Sequence, residues 1–214
     1  MNKIMFVNRF GLNKAVLTKD KWMTRRQEPC LKVLPTNYLP EYTEIKFEPY
    51  HDGFIMAKRF LRGSWMQSWK IKPRYKVGEI VAVAQCYEEE YEEVKANEDE
   101  SEQERIEKTF KQLRQHPGWK NKMFVSGAMM IHRIKITNVR IERLQDIQEN
   151  DVIAEGCRVT TDANITGYYF DGVAANYVFL SPVEAFRELI IEMNNVRVWE
   201  ENPWEVVYTF KLLK

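Results

Sequence analysis

The stretch Trp204-Glu205-Val206-Val207-Tyr208-Thr209-Phe210-Lys211-Leu212 carries the clearest structural pattern in the chain. Its large apolar residues occupy every second position and alternate with mostly polar ones, which is typical of a β-strand. Residues 129–140 alternate in a similar way, and Ile80-Val81-Ala82-Val83-Ala84 is an apolar run typical of a buried strand. These three segments predict strands of a sheet.

Helical signals are fewer and shorter. Residues 10–18 predict one short helix, and another is predicted to end at Gly156. Ser181-Pro182-Val183-Glu184 is a strong helix start, with a capping residue, then proline, then an acid. Residues 156–178 are predicted to be rich in loops. Because strands and helices do not alternate as in parallel sheets, the predicted fold class is α+β, a small β-barrel with a few flanking short helices.

The composition is that of a globular protein without a membrane segment. Of its 214 residues 44% are hydrophobic, and no apolar run approaches the roughly 18 residues of a membrane span. The three cysteines are odd in number and widely spaced, which favours reduced thiols and a cytoplasmic location. The three histidines share no metal-ligand spacing, so neither a metal nor a cofactor is expected. The sequence does not indicate an oligomeric state.

Charge is distributed unevenly, although the net charge is only +1. Residues 1–80 contain sixteen Lys and Arg against seven Asp and Glu, and an acidic run from Glu88 to Glu107 supplies much of the compensation. A basic amino-terminal part suits a polyanion such as RNA, although a solvated surface of mixed charge has the same composition. Tyr87 and Trp119 are among the aromatic residues that lie near basic ones, where they could stack on a base or simply pack.

The segment Lys21-Trp22-Met23-Thr24-Arg25-Arg26 and the distant Glu155 contain the parts of a metal-free hydrolytic site: an amine, a hydroxyl, two guanidiniums and a carboxylate. The same residue types are also ordinary surface residues. If the whole segment were a regular strand, Lys21 and Thr24 would point to opposite faces. They can meet only if Lys21 still belongs to the preceding turn.

Three local patterns, in this order, resemble the ASCH domain family. Lys21-Trp22-Met23-Thr24-Arg25-Arg26 resembles the family's Lys-Thr-x-Thr-x-Arg segment, and Val77-Gly78-Glu79-Ile80 resembles its turn into a strand. Val139-Arg140-Ile141-Glu142-Arg143-Leu144-Gln145-Asp146-Ile147 is similar to the segment before its acidic helix, especially in larger phage-associated members. Trp22 replaces the usual threonine, and Ala84-Gln85 stand where larger members often have Arg-Glu.

This resemblance implies one PUA-like β-barrel domain over residues 1–214, with long insertions at residues 31–75 and 88–125. The best-understood activity in the family belongs to small bacterial members, which hydrolyse the acetyl amide of N4-acetylcytidine. They use a lysine, a threonine three residues later and a glutamate in the acidic helix. The resemblance therefore implies Lys21 as base, Thr24 as nucleophile and Glu155 as proton donor.

The remaining site residues are assigned to substrate binding. Arg26 falls on a family arginine and could bind the oxyanion or the base carbonyl, with Arg25 beside it. Tyr87 and Trp119 are predicted to contact the base. The expected partner is a modified nucleoside or RNA, and no membrane.

Two other functions fit the same residues. One is a non-catalytic RNA-binding module, as PUA-like barrels often are. The other is a ribonuclease in which Lys21 and Arg26 stabilise the phosphate and Thr24 or Glu155 handles the proton. The sequence leaves all three open, because a shared scaffold carries very different sites.

Overall fold

The computed structural model describes residues 1–35, 44–97, 100–162 and 165–213. The strands in these ranges are β1 (Lys3–Ile4), β2 (Met23–Arg26), β3 (Ile45–Pro49), β4 (Ile55–Leu61), β5 (Ser64–Ile71), β6 (Ile80–Val83), β7 (Arg133–Arg143), β8 (Arg158–Asp162), β9 (Ile165–Tyr169) and β10 (Trp204–Leu213). The α-helices are α1 (Leu12–Leu17), α2 (Tyr87–Asn97), α3 (Glu100–Lys111), α4 (Glu149–Ala154), α5 (Pro182–Met193) and α6 (Val196–Glu201). The mixed α+β class is confirmed. Within the described ranges, no helix is long and apolar enough to cross a membrane.

The main sheet has five strands in the order β1-β6-β7-β10-β2. The closing strand β10 pairs antiparallel with β7 on one side and with β2 on the other, so that Val206 lies opposite both Ile141 and Arg26. The prediction of a strand over residues 204–212 is therefore confirmed. Val206, Val207 and Tyr208 are all fully buried, so the middle of this strand is covered on both faces. Among the strands that the structure describes, no pairing closes this sheet into a barrel.

A second sheet, β3-β4-β5, lies in the part of the chain predicted to be the first insertion. Both of its pairings are antiparallel. Ala57 and Ile71 belong to the main core, with Phe47 and Trp69 packed beside them. These four residues share one face of the sheet, so this region is fixed to the rest of the molecule. Its status as an insertion relative to the ASCH family stays a prediction.

Residues 156–178 are predicted to be rich in loops, but β8 and β9 form a hairpin in their first half, which the prediction missed. Most residues of both strands are exposed or only half-buried, so no apolar period marks them in the sequence. The ladder is extended by paired hydrogen bonds between the backbones of Tyr168 and Phe179. Strands that are held mainly by backbone hydrogen bonds need no particular side chains, so the residue pattern does not mark them clearly.

The part predicted to be the second insertion contains α2 and α3. Tyr87, at the start of α2, packs with Val125, Met130 and two alanines of the β6 region in a small cluster separate from the main core. Trp119 packs against the same cluster. This region therefore has an apolar centre of its own.

Candidate functional site

A cavity of about 240 Å³ lies between the edge strand β2 and apolar side chains of α1, α5 and α6. Its apolar wall is formed by Phe6, Val7, Leu12, Phe186, Leu189, Ile190, Met193 and Val198. Its polar lining consists of Lys21, Thr24, Arg25, Arg26, Gln27, Glu155, Asn194 and Glu205. The residues predicted as the catalytic three, Lys21, Thr24 and Glu155, are thus brought together around one concavity, with both predicted arginines.

Lys21 lies in the turn before β2 and not in the strand itself. This is the arrangement that allows its side chain to lie on the same side as that of Thr24. Its backbone N–H donates to the carbonyl oxygen of Ala15 at 3.0 Å, at the end of α1. The next N–H, of Trp22, donates to the carbonyl oxygen of Ala154 at 2.9 Å. The turn is therefore held by both α1 and α4, and the regular strand begins only at Met23. Lys21 and Thr24 are both buried beside the cavity.

Glu155 reaches the cavity because α4 ends at Ala154. Glu155 is the C-terminal capping residue, and Gly156 follows with a positive φ of 98°. A Cβ atom at Gly156 would lie 3.3 Å from the Cβ atom of Lys21. Glycine at this position therefore meets two requirements at once, a left-handed backbone and a close approach of the two segments. The predicted helix end at Gly156 is confirmed.

Lys21 and Glu155 form a buried ion pair. The Nζ atom of Lys21 lies 2.5 Å from Oε2 of Glu155 and also donates to the backbone oxygen of Glu155 at 2.7 Å. The two side chains are only 1% and 7% exposed. Burial lowers the pKa of the Lys21 amine from its ordinary value, and the positive charges of Arg26 and Arg25 act in the same direction, while Glu155 opposes the shift. The amine is thus easier to deprotonate than a surface lysine would be.

Arg25 acts as a brace for the segment that carries Glu155. Its Nη2 atom lies 2.8 Å from Glu142 Oε2 on β7 and 3.0 Å from Asp151 Oδ2 on α4. Its Nη1 atom lies 3.7 Å from Glu155 Oε1. The surrounding carboxylates therefore balance the charge of this guanidinium, and its contacts join β2, β7 and α4. It lines the cavity, but its contacts are those of a positioning residue.

The positive charge of Arg26 has far fewer contacts with acidic groups than that of Arg25. Its Nη2 atom donates to the backbone oxygen of Met5 at 2.6 Å, and its guanidinium lies 5.4 Å from the centre of the Phe6 ring. Across the described ranges it forms no ion pair, and its Nε atom has no hydrogen-bond partner there. Burial lowers the pKa of this guanidinium, while Glu155 and Glu205 act in the opposite direction. An arginine in this state is available to an oxygen atom of a ligand.

Glu205 is the missed residue with the most unusual environment; Gln27 and Asn194 also line the cavity and were not predicted. It is only 6% exposed, and its Oε2 atom has no hydrogen-bond partner in the described part of the chain. Burial raises the pKa of this carboxyl to about 8, and the nearby charge of Glu155 adds to the shift. Glu205 is therefore largely protonated at neutral pH. In the sequence it is one of the polar partners of an alternating strand, and no signal shows that its side of the strand is covered.

Tyr87 and Trp119 do not lie at this cavity. The hydroxyl of Tyr87 accepts the backbone N–H of Ser126 at 2.8 Å, and Nε1 of Trp119 donates to Glu88 Oε1 at 3.2 Å. Both rings pack in the small cluster beside β6. The structure therefore separates them from Lys21 and Thr24, and sequence reasoning grouped them only because of neighbouring basic residues.

A comparison of the chain with protein-family models, with curated proteins and with solved structures found no match. Among the side chains that the structure describes, no group of three or more His, Cys, Asp or Glu residues is arranged to hold a metal ion.

Proposed function

We propose that this chain is a metal-free amidohydrolase of the ASCH type that acts on an acetylated cytosine nucleoside or a related modified base. The observation that supports this proposal is the meeting of Lys21, Thr24, Glu155 and Arg26 around one small cavity. A PUA-like barrel, a cytoplasmic location and a relation to phage proteins are parts of the same proposal, and they rest on the sequence resemblance.

Unsatisfied polar atoms around the cavity support a polar ligand. Four atoms on lining residues have no hydrogen-bond partner within the described part of the protein: Arg25 Nε, Arg26 Nε, Glu155 Oε1 and Glu205 Oε2. Buried polar atoms almost always have a partner, which is either protein or bound water. A ligand with several hydrogen-bonding atoms, such as an acylated base, would supply partners for both donors and acceptors.

The size of the cavity favours a small substrate. Its volume of about 240 Å³ is below the roughly 300–1,000 Å³ of pockets for drug-sized ligands. One base with a short acyl group suits such a space, whereas a strand of RNA does not. Size therefore favours hydrolysis of a small amide over an RNA-binding module or a ribonuclease at this cavity.

The Lys21–Glu155 pair can provide both the base and the acid. Burial disfavours an ion pair relative to a neutral amine beside a neutral carboxyl. A proton can therefore pass from Lys21 Nζ to Glu155 Oε2 across the 2.5 Å contact. The neutral amine then accepts the hydroxyl proton of Thr24 as its oxygen attacks the acyl carbonyl. The carboxyl proton remains available for the leaving amine.

The second half of the reaction uses the same groups. The tetrahedral intermediate collapses when the C–N bond breaks, its nitrogen takes the proton from Glu155, and an acyl ester is left on Thr24. Lys21 now holds the threonine proton and passes it to Glu155, which restores the amine as the base. Water attacks the ester as the amine takes one of its protons, and the ester C–O bond breaks as the threonine oxygen takes the proton from Glu155. Acetic acid leaves and gives its proton to the solvent, which yields acetate. The leaving group is an aromatic amine, which needs little protonation.

Arg26 and Glu205 supply hydrogen bonds to the substrate in this proposal. The unpaired guanidinium of Arg26 stabilises the oxyanion or binds the base carbonyl. Protonated Glu205 offers an O–H donor and a carbonyl acceptor in a site otherwise dominated by charge. Such a group suits the alternating donors and acceptors of a pyrimidine edge.

The test is the release of cytidine from N4-acetylcytidine by the purified protein, measured by chromatography. The Thr24→Ala variant is compared with Thr24→Ser, which keeps a hydroxyl in the same place. We expect turnover by the native protein, a loss of about 10³-fold or more in Thr24→Ala, and measurable activity in Thr24→Ser.

No turnover at high enzyme concentration would exclude this substrate. Equal rates for the native protein and Thr24→Ala would exclude the nucleophile. RNA binding and RNA cleavage would then be the questions to measure, since both remain alternatives for this chain.

A further inference from the structure

A second concavity adjoins the catalytic cavity and is more open and more basic. It has a volume of about 570 Å³, and Arg26 and Gln27 line both spaces. Its other lining residues are Lys3, Ile4, Met5, Glu28, Pro29, Cys30, Lys72, Arg74 and Tyr75. We refer to this space as the outer groove. A substrate whose base fills the cavity would extend past Arg26 into it.

Three cations of the outer groove lack an acidic partner. Arg26, Lys72 and Arg74 form no ion pair with any carboxylate in the described ranges. Exposed and buried residues alternate here: Lys72 and Arg74 are exposed, and Pro73 and Tyr75 are buried. This alternation places the two cations on the same side of the chain, facing away from the core.

The acidic residue of the groove is already occupied. Glu28 accepts the hydroxyl of Tyr208 at 2.6 Å on Oε1 and the backbone N–H of Arg74 at 2.8 Å on Oε2. Its carboxylate is therefore held in place by donors other than the cationic side chains. The ammonium of Lys3 is also engaged, because it donates to the backbone oxygens of Met123 and Val125, each at 2.7 Å. Within the described ranges, the cations of the groove that keep donors for a ligand are Arg26, which gives one donor to the backbone oxygen of Met5, and Lys72 and Arg74.

We propose that the outer groove binds the phosphate of a phosphorylated substrate, so that the enzyme acts on a nucleotide, free or within RNA, rather than on a bare nucleoside. This inference rests on the proposed function, because it assumes that the base lies in the catalytic cavity. Guanidinium groups suit phosphate since their parallel N–H donors match its oxygens. Cations that line a concave surface also focus their field there, which a convex solvated face does not do.

Arg26 connects the two sites. This residue lines both the cavity and the outer groove. A phosphate bound between Arg26 and Arg74 would give Arg26 the ion-pair partner that it lacks in the described part of the chain. It would also fix the position of Arg26 beside the acyl carbonyl, so phosphate binding and the chemical step would be coupled.

The experiment compares kcat/KM for N4-acetylcytidine, its 5′-monophosphate and a short single-stranded RNA with one internal N4-acetylcytidine. We expect the monophosphate to be preferred over the nucleoside by at least about tenfold at low ionic strength, with the preference falling as salt is added. In Lys72→Gln/Arg74→Gln the ratio of the two values should fall to about one. The matched control is Arg133→Gln/Lys135→Gln, an exposed pair with the same spacing on β7, which should keep the ratio.

The outcomes separate this inference from the proposed function. Hydrolysis of the nucleoside and the monophosphate with equal kcat/KM would overturn the groove assignment and leave the hydrolase intact. If no acetylated compound is turned over, equilibrium binding of cytidine 5′-monophosphate and cytidine is measured instead. Equal binding would overturn the assignment, and tighter monophosphate binding that Lys72→Gln/Arg74→Gln removes would support it. A higher kcat/KM for the RNA than for the monophosphate identifies chain phosphates as the ligand, and a lower one identifies the free nucleotide.

Discussion

The cavity of the candidate site and the outer groove meet at Arg26 but differ in how their charged groups are paired. In the cavity, Lys21 pairs with Glu155, and Arg25 is shared among carboxylates. In the groove, Lys72 and Arg74 are exposed and have no carboxylate partner in the described ranges. A buried charge must be paired inside the protein, because desolvation is costly, whereas an exposed charge is stabilised by water and can remain free for a ligand.

This difference separates two kinds of functional group. The cavity contains groups whose proton affinity is altered by burial, which the proposed proton transfer requires. The groove contains the exposed cations Lys72 and Arg74, which can bind an anion reversibly. Variants of the two regions should therefore differ in stability, in pH dependence and in salt dependence.

The largest effect on stability is expected for Lys21→Met. This change removes the partner of Glu155 and leaves a buried carboxylate with only the longer 3.7 Å contact to Arg25. Breaking a buried pair in this way costs about 3–5 kcal/mol of the free energy of unfolding. Urea unfolding of the native and variant proteins measures it.

The control for this prediction is the double variant Lys21→Met/Glu155→Gln, which removes the isolated charge as well. It should be more stable than Lys21→Met alone, because a neutral amide is less costly to bury. A loss below about 1 kcal/mol in Lys21→Met would contradict the pairing seen at the cavity.

An intermediate effect, visible only as a function of pH, is expected for Glu205→Gln. The pKa of Glu205 is raised from 4.5 to about 8 in the folded protein. Between these values the folded state keeps a proton that the unfolded chain has released, so the contribution of Glu205 to stability is complete below about pH 4.5 and is lost as the pH rises toward 8.

The measurement for Glu205→Gln is the free energy of unfolding of both proteins from pH 5 to pH 8. Relative to the variant, the native protein should lose up to about 1.4 kcal/mol per pH unit. Taking the difference cancels the titration of other groups, including Glu90, whose pKa burial raises to about 7. Parallel curves would show that Glu205 is ionised in the folded protein.

The smallest effect on stability is expected for Lys72→Gln/Arg74→Gln in the outer groove. Both side chains are exposed and have no acidic partner in the described ranges, so the free energy of unfolding should change by no more than about 0.5 kcal/mol. Thermal unfolding at low and high salt provides the measurement. A large destabilisation would indicate a structural role and remove the contrast between the two regions.

Sequence reasoning located the elements that have a strong apolar period. It placed β10, β6 and the start of α5 correctly, because each contributes large apolar side chains to the core. It missed the hairpin of β8 and β9, whose residues are mainly exposed. A strand held mainly by backbone hydrogen bonds has no distinctive side chains, so its sequence resembles that of a loop.

The candidate site was also predicted only in part, because some of its residues follow a local sequence pattern and others do not. Lys21, Thr24 and Glu155 follow a local pattern that resembles a known family, and the structure brings all three to one cavity. Tyr87 and Trp119 were chosen by composition alone, and they pack elsewhere. Glu205 was missed because burial depends on what covers a strand, and α5 and α6, which line the same cavity, belong to another part of the chain.

The sequence by itself determined the fold class, the closing strand, the helix end at Gly156 and the residue types of the site, because these depend on local periodicity and local backbone preference. The tertiary structure alone decided which charges are buried and which are free. It paired Lys21 with Glu155, covered Glu205 and left Arg26 between the cavity and the outer groove. Desolvation acts on the environment that distant segments create together, and no short stretch of the chain contains that information.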